Sequence, residues 1–369
     1  MLHDRSGISS YRADLQMKYQ RDLFHLLLQD HKHTHRSYNA FFAFRYIYFS
    51  PYKTIPLTSE KFIYCITYMK YIMELSAYLK REQCHDDLTA LILCIANQAL
   101  PIRDAFPSNQ MAQATKNASG ETQAAMDVWA DHHLIDCIGK TGLVRELASE
   151  EQDDVILFDA AGPYSVVMDP LDGSSLIATN LSVGTIIGIY TGSLLRKGEE
   201  LTAAFYLLYG PMTVLVLSVG NGVHSFIFDE KTDEFQLFHE NITMPEGTQY
   251  GSGGTRAEWI PAHIRVLEYF DEQHFKVRYS GSFVADCHQL LTYGGIYTYP
   301  ALEKKPKGKL RLLFEINPLG YIITQAGGAV SDGCRNTLTI VPTQIHERTP
   351  VYIGSKGIIQ DIEKIYHEF

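Results

Sequence analysis

The chain has 369 residues, too many for one small core and suited to two packed halves. Lys plus Arg number 32 against 42 Asp plus Glu, a net charge of -10. That balance excludes a general nucleic-acid binder and fits a protein that holds an anionic ligand with a few placed cations and metal ions. The six cysteines (Cys65, Cys84, Cys94, Cys137, Cys287, Cys334) show no CxxC and no zinc spacing, and they read as small buried residues of a reducing compartment.

Residues 1–72 differ from the rest: they are rich in Tyr, Phe and His and carry no clear repeat. The apolar run 40–49 is broken by Arg45 and too short to span a bilayer, and the first residues lack a signal-peptide shape. His31, His33 and His35 alternate as metal ligands can, but read as a solvated polar loop. Met73 opens a helix and has the look of a true start, which makes 1–72 an appendage or an over-extended reading frame; the alternative is a helical docking extension, since 59–82 has amphipathic spacing.

Asp86 and Asp87 precede a helix over the apolar run 88–100. A loop at 117–121 leads into a helix over 122–138, with Glu121 at its mouth and Asp127 inside it; in isolation these are an acid at a helix start and a solvated face. Strands are expected at 155–158, 164–168, 183–190, 203–209, 213–219 and 223–228, with turns at Gly210-Pro211 and Gly220-Asn221-Gly222, so the first sheet is a meander, antiparallel or mixed. After about residue 245 the pattern changes. Helices are expected at 259–270 and 283–293 and a strand at 296–299. Five cations (Lys304, Lys305, Lys307, Lys309, Arg311) then lead into Leu312-Leu313-Phe314-Glu315, as if delivered to the mouth of a sheet. Asn317-Pro318 opens a helix, and a last helix covers about 357–367.

The most informative stretch is Val166-Val167-Met168-Asp169-Pro170-Leu171-Asp172-Gly173-Ser174-Ser175. A β-branched run ends in a carboxylate, Pro170 stops the strand, and Gly173 lets the backbone turn tightly. Paired carboxylates suit Mg²⁺, and free N–H groups at a strand-to-helix turn suit a phosphate. A lone DxxD is an ordinary acidic turn. The apolar lead-in, the Gly-Ser-Ser tail and the upstream pair Glu150-Glu151 make it a metal site beside an anion site.

Four blocks carry a family resemblance: Met168-Asp169-Pro170-Leu171-Asp172-Gly173-Ser174-Ser175 with Glu150-Glu151 before it; Arg278-Tyr279-x-Gly281-Ser282-x-Val284-Ala285-Asp286; Gly294-Gly295-Ile296-x-x-Tyr299-Pro300; and Lys307-Gly308-Lys309-Leu310-Arg311-Leu312-Leu313-x-Glu315-x-Asn317-Pro318. Together, over about 73–369, they resemble the class I fructose-1,6-bisphosphatases of the Mg²⁺-dependent, Li⁺-sensitive phosphatase superfamily. The resemblance implies an α/β fold, a layered αβαβα sandwich with two mixed sheets and the site at their junction. It divides the chain into an extension at 1–72, an α/β domain at 73–244 with most metal ligands, and a sugar-phosphate-binding α/β domain at 245–369.

It also implies roles. Glu150, Glu151, Asp169, Asp172 and Glu315 match metal-ligand positions, with the Leu171 carbonyl as a further ligand for two to three Mg²⁺ per subunit, Mn²⁺ being a substitute. Glu121 and Asp127 match acids that assist water activation, for which Glu151 is the main candidate. Gly173, Ser174 and Ser175 match the cradle of the departing phosphate, with Arg311 near it. Tyr279, Tyr299 and Lys309 match sugar-phosphate binders, and Arg278 matches an arginine that reaches a neighbouring subunit's site. A cytoplasmic homotetramer serving gluconeogenesis is implied, with no membrane or nucleic-acid partner.

Three departures from the pattern matter. Leu176 and Ala178 stand where many members have Asn and Asp. Tyr250-Gly251-Ser252-Gly253-Gly254-Thr255-Arg256 replaces the usual Asn and Tyr of the distal-phosphate loop, leaving backbone N–H groups and Arg256 as phosphate donors. His85-Asp86-Asp87-Leu88 replaces the Thr-Gly-Glu-Met loop that binds AMP in animal enzymes, and Pro163 replaces a Lys, so weak or absent AMP inhibition is expected. The leading reading is a fructose-1,6-bisphosphate 1-phosphohydrolase. Its rivals are a sedoheptulose-1,7-bisphosphatase or dual-specific enzyme, and a non-catalytic sugar-phosphate-binding regulator; an inositol or nucleotide phosphatase leaves Lys309, Tyr279 and Tyr299 without a reason.

Overall fold

The computed structural model describes residues 73–109, 115–116, 122–123 and 125–369. The expectations for residues 1–72, including the histidines at 31, 33 and 35, and for Glu121 lie outside the described residues. Among the described residues four helices come first: α1 (Leu75–Arg81), α2 (Asp86–Ala96), α3 (Ala99–Asn109) and α4 (Ala125–Lys140). The run 88–100 is therefore not one helix. Asn97 ends α2 as its C-cap, and a new helix starts at Ala99. Helix α2 begins two residues before that run because the His85 ring accepts the Asp87 N–H at 3.3 Å, capping the first turn. Two short segments, β1 (Thr115–Lys116) and β2 (Thr122–Gln123), pair between α3 and α4.

The larger sheet is built from β3 (Val144–Ser149), β4 (Ile156–Leu157), β5 (Tyr164–Asp172), β6 (Val183–Thr191), β7 (Ala203–Tyr209), β8 (Thr213–Ser218), β9 (His224–Asp229) and β10 (Glu234–His239), in the order β10-β9-β8-β7-β6-β5-β3-β4. Strands β5 to β9 form the expected meander, β10 extends it by one more antiparallel strand, and the parallel pairing of β3 with β5 makes the sheet mixed. Pro170 does not stop β5. Pairing with β6 breaks register between Asp169 and Asp172 and resumes at Asp172 opposite Gly184. A proline inside a central strand is tolerated where such an irregularity removes the need for its missing N–H.

The second half starts with β11 (Gln249–Ser252), followed by helix α5 (Pro261–Glu272), β12 (Lys276–Val277), α6 (Phe283–Tyr293), β13 (Ile296–Tyr299), α7 (Asn317–Gln325), β14 (Ala329–Ser331), β15 (Val351–Gly354) and α8 (Lys356–Tyr366). Helix α5 starts two residues later than the sequence suggests, with Pro261 in its first turn, where a missing N–H does no harm. The sheet order β12-β11-β13-β15-β14 is again mixed: β11 is parallel to both β12 and β13, while β13 and β14 are antiparallel to β15. The segment 312–316 is not a strand mouth but a single π turn running straight into α7.

Three apolar clusters stack these elements in layers. One face of the larger sheet (Val166, Met168, Ile187, Phe205) packs on α1 to α4. Its other face (Val167, Ile186, Tyr206) packs on α6 and α7, whose far sides meet Tyr297, Val351 and Ile353 of the smaller sheet. The outer face of the smaller sheet packs on α5 and α8, where Ile358, Ile359, Ile362 and Ile365 form one stripe. The order is helices, sheet, helices, sheet, helices, the expected αβαβα sandwich. Among the described cysteines only Cys287 is buried. Cys94 and Cys137 are half-buried with sulfurs 2.7 Å apart, so the reading of all cysteines as buried residues is corrected.

Burial on both faces of β5 has a testable consequence. Val166 and Val167 point into different clusters and are both fully buried. Val166→Asp and Val167→Asp should each abolish cooperative folding, because either strands a charge in an apolar layer at a cost above about 4 kcal/mol. Circular dichroism melts of both variants check this; a folded Val167→Asp protein contradicts the layering.

Candidate active site

The irregularity in β5 shapes the site. Asp169 is 4% exposed, and its Oδ1 accepts the Leu171 N–H at 2.9 Å, which curls the chain across Pro170. The Thr185 hydroxyl on β6 donates to the Pro170 carbonyl at 2.9 Å. Gly173 follows with φ +79°, and an added Cβ would lie 2.7 Å from the Ser282 side chain, so the turn needs glycine on both counts. Ser174–Thr179 then form a 3-10 turn rather than an α-helix. Ser174 Oγ donates to Asp127 Oδ2 at 3.0 Å, and Ser175 is exposed. Asp127 is buried at 6% exposure in the first turn of α4, so its reading as a solvated face is corrected.

Three chain segments bring acids together. Glu150 follows β3, and its N–H donates to the Met168 carbonyl at 3.0 Å, locking it beside β5. Glu315 lies in the π turn, a local departure from helical geometry of the kind often found at functional sites. Carboxylate oxygens of Glu150, Asp169 and Glu315 lie within 4.8 Å of one another. Arg311 enters the same group: its guanidinium donates to Glu150 Oε1, and its backbone N–H donates to Glu315 Oε2 at 2.6 Å. Asp172 lies close enough to these acids to feel their charge, and it also bonds to the second half. Its Oδ2 accepts Ser282 Oγ at 2.7 Å and the Val284 N–H at 2.8 Å, at the start of α6. Glu151 is half-buried outside the three-acid group, and its N–H donates to Ser149 Oγ at 3.3 Å. Leu171 is buried.

The remaining expected residues lie in the second half. Tyr299 packs against Gly253, where a Cβ would meet its ring at 2.2 Å, and Lys309 Nζ sits 6.0 Å from the Tyr299 ring centre. Tyr279 is 48% exposed and stacks on Tyr297 at 6.1 Å. Arg278 is exposed, held to β11 by its N–H on the Tyr250 carbonyl at 2.7 Å. Arg256 is exposed in the turn after Gly253-Gly254, where Trp259 Nε1 donates to the Gly253 carbonyl at 3.0 Å. Sequence reasoning gave no role to Ser282. The signal was a Ser three residues before Ala285 at a helix start: Ser282 Oγ accepts the Ala285 N–H at 3.3 Å while it donates to Asp172.

The donor set is all oxygen and fits a hard divalent ion such as Mg²⁺. Its electrostatics point the same way. Burial, and then the charges of Glu150, Asp172 and Glu315, hold Asp169 well above the usual carboxylate range. Burial and Glu150 do the same to Glu315, with Arg311 pulling the other way. Burial pushes Asp172 up to about 6, against the opposing pull of the Val284 N–H and the Ser282 hydroxyl. A raised carboxyl keeps its proton at low pH, and that proton must leave before a cation takes its place. Mg²⁺ affinity should therefore tighten as pH rises through about 6, where Asp172 loses its proton, and binding should release protons on the acid side. Calorimetric titration on both sides of that pH checks it; an affinity flat with pH contradicts these shifts.

Comparison with known proteins gives the family. A family model described as "Fructose-1-6-bisphosphatase, N-terminal domain" matches residues 66–240, and one described as "Fructose-1-6-bisphosphatase, C-terminal domain" matches 243–367. "Fructose-1,6-bisphosphatase class 1" of Methanospirillum hungatei is 61% identical over 298 residues, covering 80% of this chain and 96% of that protein. The protein of the same name from Methanocorpusculum labreanum is 55% identical over 291 residues, covering 79% of this chain and 91% of its own length. The crystal structure of Leishmania major fructose-1,6-bisphosphatase in holo form matches with a TM-score of 0.76 at 31% identity, over 81% of this chain and 99% of that one. On two matched halves and these relatives, the chain belongs to the class I fructose-1,6-bisphosphatase family.

Proposed function

We propose that the chain, a fructose-1,6-bisphosphatase by family, removes the 1-phosphate of fructose 1,6-bisphosphate by Mg²⁺-dependent hydrolysis. The observation that carries the metal dependence is the group Glu150, Asp169 and Glu315, three acids from separate segments converging where the two halves meet. When bound, Mg²⁺ lowers the pKa of water and offsets phosphoryl charge. Glu150, Asp169 and Glu315 would hold it, with the Leu171 carbonyl, Glu151 and Asp172 as further donors for a second or third ion; Mn²⁺ offers the same coordination.

The chain's own groups supply the rest. Glu151 takes a proton from the attacking water, and Asp127, which already accepts from Ser174, steadies the turn beside it. The N–H groups of Gly173, Ser174 and Ser175 receive the departing phosphate, and the Arg311 guanidinium offers a fork of donors at its edge. Tyr279, Tyr299 and Lys309 hold the sugar phosphate, and Arg256 with the Gly253-Gly254 backbone binds the distal phosphate. Residues 73–244 thus carry most metal ligands and 245–369 most sugar contacts. Arg278, exposed in this subunit, fits a role at a neighbouring subunit's site in a homotetramer. No described helix is long and apolar enough to cross a membrane, and we take the enzyme to be cytoplasmic and gluconeogenic. His85 caps α2 and is followed by two acids, which supports the lack of an AMP site there.

A seven-carbon sugar bisphosphate is the second reading, favoured by the glycine-lined loop at Gly253-Gly254. Phosphate release from each sugar bisphosphate, with and without Mg²⁺, for the native chain and Glu151→Ala, tests the proposal. Release from fructose 1,6-bisphosphate should require Mg²⁺ and fall about 10²-fold or more in the variant. Faster turnover of the seven-carbon substrate moves the assignment, and metal-independent release overturns it.

A further inference from the structure

Helix α4 carries a second buried acid that no role above uses. Asp131 lies one helical turn after Asp127 and is 1% exposed. The two acids share a face of the helix. Asp127 accepts from Ser174, in the turn after the second β5 acid. Asp131 Oδ1 accepts Ser149 Oγ at 2.5 Å, and its Oδ2 accepts the Gln152 side-chain amide. Ser149 and Gln152 are the residues on either side of Glu150-Glu151. The Ser149 hydroxyl also accepts the Glu151 N–H at 3.3 Å, and the Ser149 carbonyl accepts the Gln152 N–H at 3.3 Å. From the far side His346 Nε2 meets the Gln152 carbonyl at 2.8 Å.

We propose that Asp131 is a positioning residue: its two carboxylate oxygens clamp both ends of the turn that carries Glu150 and Glu151. A carboxylate is costly to bury, and one neutral acceptor would suffice to hold α4 against β3. A carboxylate is suited to this place because it is acceptor-only and has two oxygens, so it can take a donor from each side of the turn at once. The turn then presents Glu150 and Glu151 in a fixed orientation, as outer partners of metal ligands do. The inference rests on the reading of those two glutamates as metal-site residues.

The test is the Mg²⁺ dependence of phosphate release by the full chain, with KM for fructose 1,6-bisphosphate at saturating Mg²⁺ and the thermal midpoint recorded alongside. Asp131→Leu, close in size but without acceptors, should raise half-saturating Mg²⁺ about 10-fold or more and leave the sugar KM unchanged. Asp131→Asn should restore most of the affinity, since it keeps one carbonyl acceptor and the Gln152 amide can turn over to meet its NH₂. Ser149→Ala should show the same signature, and combining it with Asp131→Leu should cost less than the sum of the two, because both break the Ser149–Asp131 contact. If Asp131→Leu fails to fold, Ser149→Ala and Gln152→Ala decide the matter. A folded Asp131→Leu protein with native Mg²⁺ dependence, or native dependence in both Ser149→Ala and Gln152→Ala, overturns the inference. A lower thermal midpoint with unchanged Mg²⁺ response does so too, and shows a purely structural role. Native enzyme that needs no divalent ion would instead fail the metal reading itself, and the inference with it.

Discussion

Like charges held close together away from water are the constraint on which this structure turns. Asp169 and Glu315 are each 4% exposed, and with Glu150 they bring three carboxylates within 4.8 Å. Such a group repels itself and is costly to desolvate, so it persists only where the surrounding fold over-determines it. That surround is visible in every direction: the Leu171 N–H on Asp169, the Met168 carbonyl on Glu150, the Arg311 backbone and guanidinium on Glu315 and Glu150. Arg311 is the protein's own counter-charge at a place whose chemistry suits a divalent cation.

The same constraint explains why two sheets are needed. No single element presents three acids at one point without strain. Here one follows the end of β3, the irregular strand β5 carries another, and the π turn before α7 supplies the third. Strand β5 and the π turn each break a regular pattern close to their acid. Asp172 then ties the halves together, since its partners Ser282 and Val284 open α6 in the second half. The segment 282–284 is thereby linked through one carboxylate to the turn that follows Asp169.

Much of this was legible in the sequence, and the failures have physical reasons. The meander strands β5 to β9 could be read because they are continuous β-branched and aromatic runs between glycine turns, as sheets buried on both faces require. Strand β3 was missed because Arg145 and Glu146 interrupt its apolar pattern, and β10 because its residues are mixed and only half-buried. Pro170 looked like a strand end, since a local rule cannot reveal that β5 takes one extra residue against β6 there and then resumes pairing. The acids of the Asp169–Asp172 block and the Glu150-Glu151 pair stood out by type and spacing. Their supports did not: Ser282 is 110 residues from Asp172, and Asp131 sits in a helix stretch rich in polar residues that resembles a solvated face.

Glu150, Asp169 and Glu315 form an acidic group suited to a divalent ion, with charges at odds with one another until a cation joins them. The most direct measurement is the thermal midpoint of the native chain and of Asp169→Asn, each with and without Mg²⁺ at pH 7.5. Asn can keep the acceptor for the Leu171 N–H, so the variant loses charge rather than shape. The account predicts that Mg²⁺ stabilises the native chain by mass action, and that Asp169→Asn is at least as stable without Mg²⁺ but gains nothing from it. An Asp169→Asn protein that Mg²⁺ stabilises as well as it does the native chain would contradict the account.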